Sequence, residues 1–129
     1  MNKIQQDESC VLTIENRKDY LFIRVDGERD NAEITTRMWK QVASICRQTG
    51  QTNVMLVEAI EENIDLAEAY DTVWDRRLDE FAHLKIAFVD LVEDHHEVNE
   101  FVNGCTRNRG LNIRLFRSIQ AAEKWLSMA

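Results

Sequence analysis

The sequence contains no proline, only four glycines and three cysteines in 129 residues. Average usage would give about six prolines in a chain of this size. Collagen-like, proline-rich and glycine/serine-rich sequences are therefore excluded, and we expect regular elements joined by short connections. The cysteines, Cys10, Cys46 and Cys105, are odd in number and form no C-x-x-C pair, which argues against a disulfide framework or a zinc ribbon. Such cysteine usage is typical of a reducing compartment, so we expect a cytoplasmic protein.

Long apolar runs are also missing. No stretch approaches the roughly 20 apolar residues that a membrane-spanning helix requires. The first residues, MNKIQQDE, are polar and lack the apolar segment of a signal peptide. We therefore expect a flexible N-terminus over residues 1–9, a single domain over residues 10–129, and no membrane insertion.

Basic residues are scarce in the middle of the chain, although the net charge is only −7. Residues 58–100 carry three basic and fourteen acidic side chains, a net charge of −11, whereas residues 101–129 carry a net charge of +4. An acidic middle repels phosphate backbones and anionic membrane surfaces, so nucleic acid is not an expected partner. We expect a protein partner with a basic surface, or a homo-oligomer such as a homodimer formed through the two oppositely charged segments.

The apolar residues follow two alternating periodicities. Runs rich in β-branched and aromatic residues predict five strands, over 10–15, 20–25, 54–57, 84–90 and 111–116. Apolar residues spaced three and four apart predict four helices, over 31–48, 64–81, 97–109 and 118–126. The order β-β-α-β-α-β-α-β-α predicts an α/β fold, with a five-stranded, mixed but mainly parallel sheet and four helices.

Three segments resemble the STAS superfamily, and within it the SpoIIAA-like domains. They are FAHLKIAFVD at 81–90, GLNIRLF at 110–116 and AAEKWL at 121–126, the last similar to the A-x-x-W-L ending of this branch. The resemblance covers about residues 10–127 and implies a SpoIIAA/STAS-like fold. It also implies a non-enzymatic protein-interaction or regulatory module, without catalytic residues and without a cofactor.

The same resemblance implies a regulatory switch whose key residue is missing here. In the family, a serine or threonine at the start of the helix after the third strand is phosphorylated, which releases a kinase partner. The matching stretch, EAIEENIDL at 58–66, contains no hydroxyl residue. We therefore expect a module without the phosphorylatable residue of the anti-sigma antagonists. The alternative is a small-molecule or lipid carrier, since the fold is related to the CRAL-TRIO lipid carriers, with an apolar cavity lined by Leu66, Tyr70, Trp74 and Phe101.

Acidic residues cluster where the predicted strands end. In open α/β sheets, ligands bind beyond the carboxyl ends of the strands. We name the acidic residues expected there the acidic rim and predict that it docks a partner: Glu58, Glu61, Glu62, Asp65, Asp90, Glu93 and Asp94. The same carboxylates would also complement the dipoles of helix N-termini, an alternative that needs no partner.

The pair His95-His96 invites a metal site. His96 and Glu100 would share one helix face, and Asp94 or Glu93 could add a third ligand, but a spacing such as H-E-x-x-H is absent. We predict no metal site, and we expect both histidines at an exposed helix start.

Overall fold

Six strands form one sheet in which the spatial order follows the sequence order. The computed structural model describes residues 2–7, 10–29, 32–62, 81–108 and 110–128. The strands are β1 Asn2–Asp7, β2 Cys10–Asn16, β3 Leu21–Arg29, β4 Asn53–Glu62, β5 Lys85–Asp90 and β6 Asn112–Phe116. The pairs β1–β2 and β2–β3 are antiparallel, and every pair from β3 to β6 is parallel. The mixed, mainly parallel sheet predicted from the element order is thus observed.

Helices follow the parallel strands in the described part of the chain. They are α1 Ala32–Thr49, α2 His96–Asn108 and α3 Ile119–Leu126, and a 3₁₀ turn at Glu93–His95 leads directly into α2. α3 begins where the Ser118 hydroxyl accepts a hydrogen bond from the backbone N–H of Ala121 at 3.1 Å. The helix predicted over 64–81 lies almost entirely outside the described residues.

The N-terminus differs from the expectation, and the strand count is corrected from five to six. Residues 2–7, expected to be part of a flexible N-terminus, pair antiparallel with β2 as strand β1, with Asn2 opposite Ile14 and Gln5 opposite Val11. Periodicity could not indicate this strand because only Ile4 in it is strongly apolar. An edge strand is held largely by its ladder of backbone hydrogen bonds, which leave no trace in hydrophobic patterning.

Each face of the sheet carries its own apolar core. Alternate residues of β4 point to opposite faces, so that Leu56 and Met55 belong to different clusters. One cluster includes Leu12, Ile23, Val42, Leu56 and Ile86, with Val42 contributed by α1. The other includes Tyr20, Met55, Val57, Ala87 and Leu126, with Leu126 contributed by α3. No helix in the described part of the chain is both long and apolar enough to cross a membrane.

Candidate functional site

The carboxyl ends of β4 and β5 bring two members of the acidic rim side by side. Glu58 and Asp90 occupy directly opposite positions in this parallel pair, so their side chains point to the same face of the sheet. Glu58 is only 8% exposed and the Asp90 side chain only 5%. The sequence correctly predicts their neighbourhood, but these two carboxylates lie beneath the surface rather than on it.

The Asp90 carboxylate is enclosed by hydrogen bonds. Its Oδ1 accepts the backbone N–H of Val92 at 2.9 Å, and its Oδ2 accepts the Asn99 side-chain amide at 2.7 Å. Nδ1 of His95 lies 2.9 Å from the same Oδ2, so a tautomer with a proton on Nδ1 donates to it. We call Asp90, His95 and Asn99 the Asp90 cluster. It ties the end of β5 to the first turns of α2, because charge-assisted hydrogen bonds are the strong ones in a protein interior.

The two histidines therefore have different environments, and the expectation that both are exposed is wrong for His95. His95 is buried in the Asp90 cluster, whereas His96 is partly exposed and its Nε2 lies 3.0 Å from Glu100 Oε1. Nη2 of Arg117 also reaches His96 Nε2, at 2.6 Å. No group of three or more metal-ligating side chains suited to hold an ion is present among the described residues.

Among the rim residues whose side chains the structure describes, the exposed ones lie in the loop between β5 and α2. Leu91 is 45% exposed directly after Asp90, and its backbone N–H donates to the carbonyl of Glu58 at 2.9 Å. Glu93 and Asp94 follow and are exposed to solvent. We call residues 91–94 the rim loop. It presents one apolar side chain beside two carboxylates, on a backbone that is fastened from below by the Asp90 cluster.

The structure describes the remaining predicted site residues only in part. Glu61 and Glu62 are the last two residues of β4, and Asp65 lies outside the described residues. Phe101, predicted to line an apolar cavity, is 43% exposed on α2. The other predicted lining residues, Leu66, Tyr70 and Trp74, lie outside the described residues, so the carrier alternative stays a prediction.

A groove that the sequence analysis did not indicate lies between α2 and β6. Its volume is about 450 Å³, and it is lined by His96, Glu100, Asn103, Gly104, Arg107, Leu115 and Arg117. The side-chain Oδ1 of Asn103 is buried and has no hydrogen-bond partner in the described structure. We call this feature the α2–β6 groove. The available sequence signal was a set of residues three and four positions apart along one helix face, namely Glu100, Asn103, Gly104 and Arg107.

Polar contacts at the opposite end of the sheet fasten α3. The Tyr20 hydroxyl accepts a hydrogen bond from Nη1 of Arg17 at 2.7 Å and donates one to Oε2 of Glu123 at 2.9 Å. Burial raises the pKa of Tyr20, and the bond to Glu123 raises it further against the opposing effect of Arg17. Lys85 Nζ donates to the carbonyls of Trp125 and Met128 at 2.7 and 2.9 Å. These bonds explain why a helix of only eight residues is held in place.

The whole arrangement is similar to that of solved anti-sigma factor antagonists. An anti-sigma factor antagonist from Mycobacterium paratuberculosis matches with a TM-score of 0.63 and 12% sequence identity, over 97% of this chain and 100% of the other. The anti-sigma factor antagonist SpoIIAA in its unphosphorylated form matches with a TM-score of 0.59 and 12% identity, over 92% and 98% of the two chains. The sequence itself matches no family model and no curated protein.

These similarities define the class of fold. The chain has the STAS fold of the anti-sigma factor antagonists, which confirms the resemblance seen in the three sequence segments. At 12% identity the likeness concerns the fold alone, and function has to be argued from the site.

Proposed function

We propose that this chain is a non-enzymatic regulatory module that binds a protein partner with a basic surface through the rim loop. The observation that carries the proposal is the construction of that loop. Leu91 is exposed at the carboxyl edge of the sheet, Glu93 and Asp94 stand beside it, and the backbone below is fastened by the Asp90 cluster. A preorganised loop loses little conformational freedom on docking, which favours binding.

The chemistry of the rim loop selects the partner. An exposed leucine can enter an apolar pocket and supply buried area, while carboxylates around it steer a basic surface and reject an acidic one. Glu93 is engaged only weakly by the described residues, because its ion pair with Arg117 spans 3.5 Å between two highly exposed side chains. Its carboxylate therefore remains accessible to a partner.

Binding of this kind would not be controlled by phosphorylation at the stretch 58–66, which contains no serine, threonine or tyrosine. Phosphorylation acts by adding about two negative charges to a docking surface. In this chain the stretch carries four acidic residues, Glu58, Glu61, Glu62 and Asp65, and no hydroxyl group to phosphorylate.

The proposal is tested by affinity purification from the cells that produce the protein, with the wild type and Leu91→Asp compared side by side. The wild type is expected to retain a partner with a basic surface that Leu91→Asp loses. Because Leu91 is exposed, the substitution should leave the melting temperature unchanged within about 2 °C.

A control variant and a salt series make the outcome decisive. Lys124→Glu changes an exposed charge on α3, on the other face of the sheet, and should keep the partner. The complex should weaken as the salt concentration rises, since charges more than about 8 Å apart are screened at physiological ionic strength. Retention of the same partner by Leu91→Asp would exclude the rim loop as its docking surface.

A further inference from the structure

We propose that the α2–β6 groove is occupied by a second copy of this chain, in a two-fold symmetric dimer whose α2 helices run antiparallel. This self-association uses a surface different from the rim loop, so it goes beyond the function proposed above. In a two-fold dimer the same patch contacts itself, and the patch must therefore be complementary to its own rotated copy.

The exposed face of α2 meets this requirement. Glu100 lies toward its N-terminal end and Arg107 toward its C-terminal end, both on the face that lines the groove. Seven residues of helix separate them, or about 10 Å along the axis. A two-fold axis passing near Asn103 and Gly104 places Glu100 of each copy opposite Arg107 of the other, so that one contact is made twice.

Both charged groups are accessible to a second copy. The Glu100 side chain is 65% exposed, and its partner in the described structure is the neutral or protonated ring of His96. Arg107 is exposed and forms no ion pair with any described residue. In the antiparallel arrangement the N-terminus of each helix lies beside the C-terminus of the other, which is electrostatically favourable for the two helix dipoles.

The centre of the proposed contact has room for a second helix. An ideal Cβ built on Gly104 would meet no atom within 4 Å, so the surface above this residue is open. Two helices approach more closely where the side chains at their crossing point are small. Leu115 of β6 supplies an apolar wall of the groove beside it. Glu100 and Arg107 stand at the two ends of the groove, with His96 and Arg117 beside Glu100, and the open centre fits a helix that carries the same features in reverse.

The distribution of charge along the chain points the same way. The segment 58–100 has a net charge of −11 and the segment 101–129 a net charge of +4, and α2 crosses the boundary between them. On α2 itself Glu97 lies in the first turn and Arg107 in the last turn, so antiparallel docking sets the acidic end of each helix beside the basic end of the other. A parallel arrangement would bring like charges together.

Sedimentation velocity of the full chain at several concentrations tests this inference. We expect a dimer that dissociates as salt is raised from 50 to 500 mM, because its charge pairs lie at an exposed interface. The single reversals Glu100→Lys and Arg107→Glu should each weaken dimerisation at least tenfold, since each sets two pairs of like charges against one another. Lys40→Glu, an exposed charge reversal on α1, is the matched control and should dimerise as the wild type does.

Mixing the two reversed variants gives the decisive result. In an equimolar mixture, Lys at 100 of one variant meets Glu at 107 of the other, and Glu100 meets Arg107, so dimers should re-form. Gly104→Gln should favour the helix, and so keep or raise the melting temperature, while blocking the dimer. A wild type that stays monomeric at 50 mM salt and high concentration, or reversed variants whose mixture remains monomeric, would overturn the proposal.

Discussion

The substitution Asp90→Ala removes a carboxylate that joins the end of β5, the rim loop and α2. Its carboxylate is 95% buried and accepts from the Val92 backbone, from Asn99 and from His95 at 2.7–2.9 Å. We expect the variant to lose stability well beyond the usual effect of a single substitution. It should also free the rim loop from its anchor.

The expected loss follows from these contacts. A hydrogen bond to a charged group contributes about 1.5–3 kcal/mol, but three bonds to one carboxylate do not add fully. Removing the acceptor also deprives buried donors of the hydrogen bonds they make in the wild type, at about 1–3 kcal/mol for each donor left unsatisfied. We therefore expect a loss of about 3–5 kcal/mol in the free energy of unfolding, equivalent to about 10–20 °C in melting temperature.

Two asparagines one turn apart on α2 supply the matched pair of variants. Asn99→Ala removes a donor to Asp90 and should cost about 2 kcal/mol. Asn103→Ala removes a side chain whose Oδ1 has no hydrogen-bond partner, so it should change stability by less than about 0.5 kcal/mol or improve it. Asp90→Ala combined with Asn99→Ala should show a coupling energy of about 1–2 kcal/mol.

Urea unfolding followed by circular dichroism measures the wild type and all four variants on one scale. The three single variants should rank Asp90→Ala as the most destabilised, then Asn99→Ala, then Asn103→Ala. If Asp90→Ala cost less than about 1 kcal/mol, or no more than Asn103→Ala, the Asp90 cluster would not anchor the loop and the reasoning would fail.

Three further properties can be measured. Tyr20→Phe should lower the free energy of unfolding by about 1–2 kcal/mol, since it breaks the bonds to Arg17 and Glu123. Because the pKa of Tyr20 is raised on folding, its contribution is complete below about pH 10 and is lost as the pH rises further, and Tyr20→Phe should flatten that alkaline loss. Burial raises the pKa of the Cys46 thiol, so iodoacetamide at pH 8 should modify it at least tenfold more slowly than the partly exposed Cys105, as mapped by mass spectrometry. Native mass spectrometry of the purified chain should show the mass of the monomer or the dimer without a bound ligand. A bound apolar molecule would favour the carrier alternative instead.

The central strands of the sheet are predictable from the sequence because they are buried on both faces. The run Val54–Val57 is continuously apolar, and all four residues are fully buried in β4. β4 nevertheless continues to Glu62, beyond the predicted end at 57, because its last residues remain hydrogen-bonded to β3. Strand length is set by partners distant in sequence, which local patterning cannot indicate.

Sequence reasoning indicates which edge of the sheet Glu58 and Asp90 occupy, but not that their side chains are buried there. Strand ends and the α/β layout place Glu58 and Asp90 at one edge of the sheet. The burial of Asp90 depends on donors brought in by the 3₁₀ turn and α2, namely His95 and Asn99. These two are four residues apart and so lie on one face of a helical segment, a spacing that could have signalled a shared acceptor. The α2–β6 groove depends on β6 packing beside α2, which no local spacing reveals.

The proposed function requires that the rim loop, with Leu91 exposed beside Glu93 and Asp94, binds a partner with a basic surface. Its most direct test is isothermal titration calorimetry with the partner recovered by affinity purification, comparing the wild type with Glu93→Lys combined with Asp94→Lys. We expect affinity at least tenfold weaker at low salt for the reversed variant, a difference between the two proteins that narrows as the salt concentration rises, and an unchanged melting temperature. Equal affinity and equal salt dependence for the two proteins would contradict it.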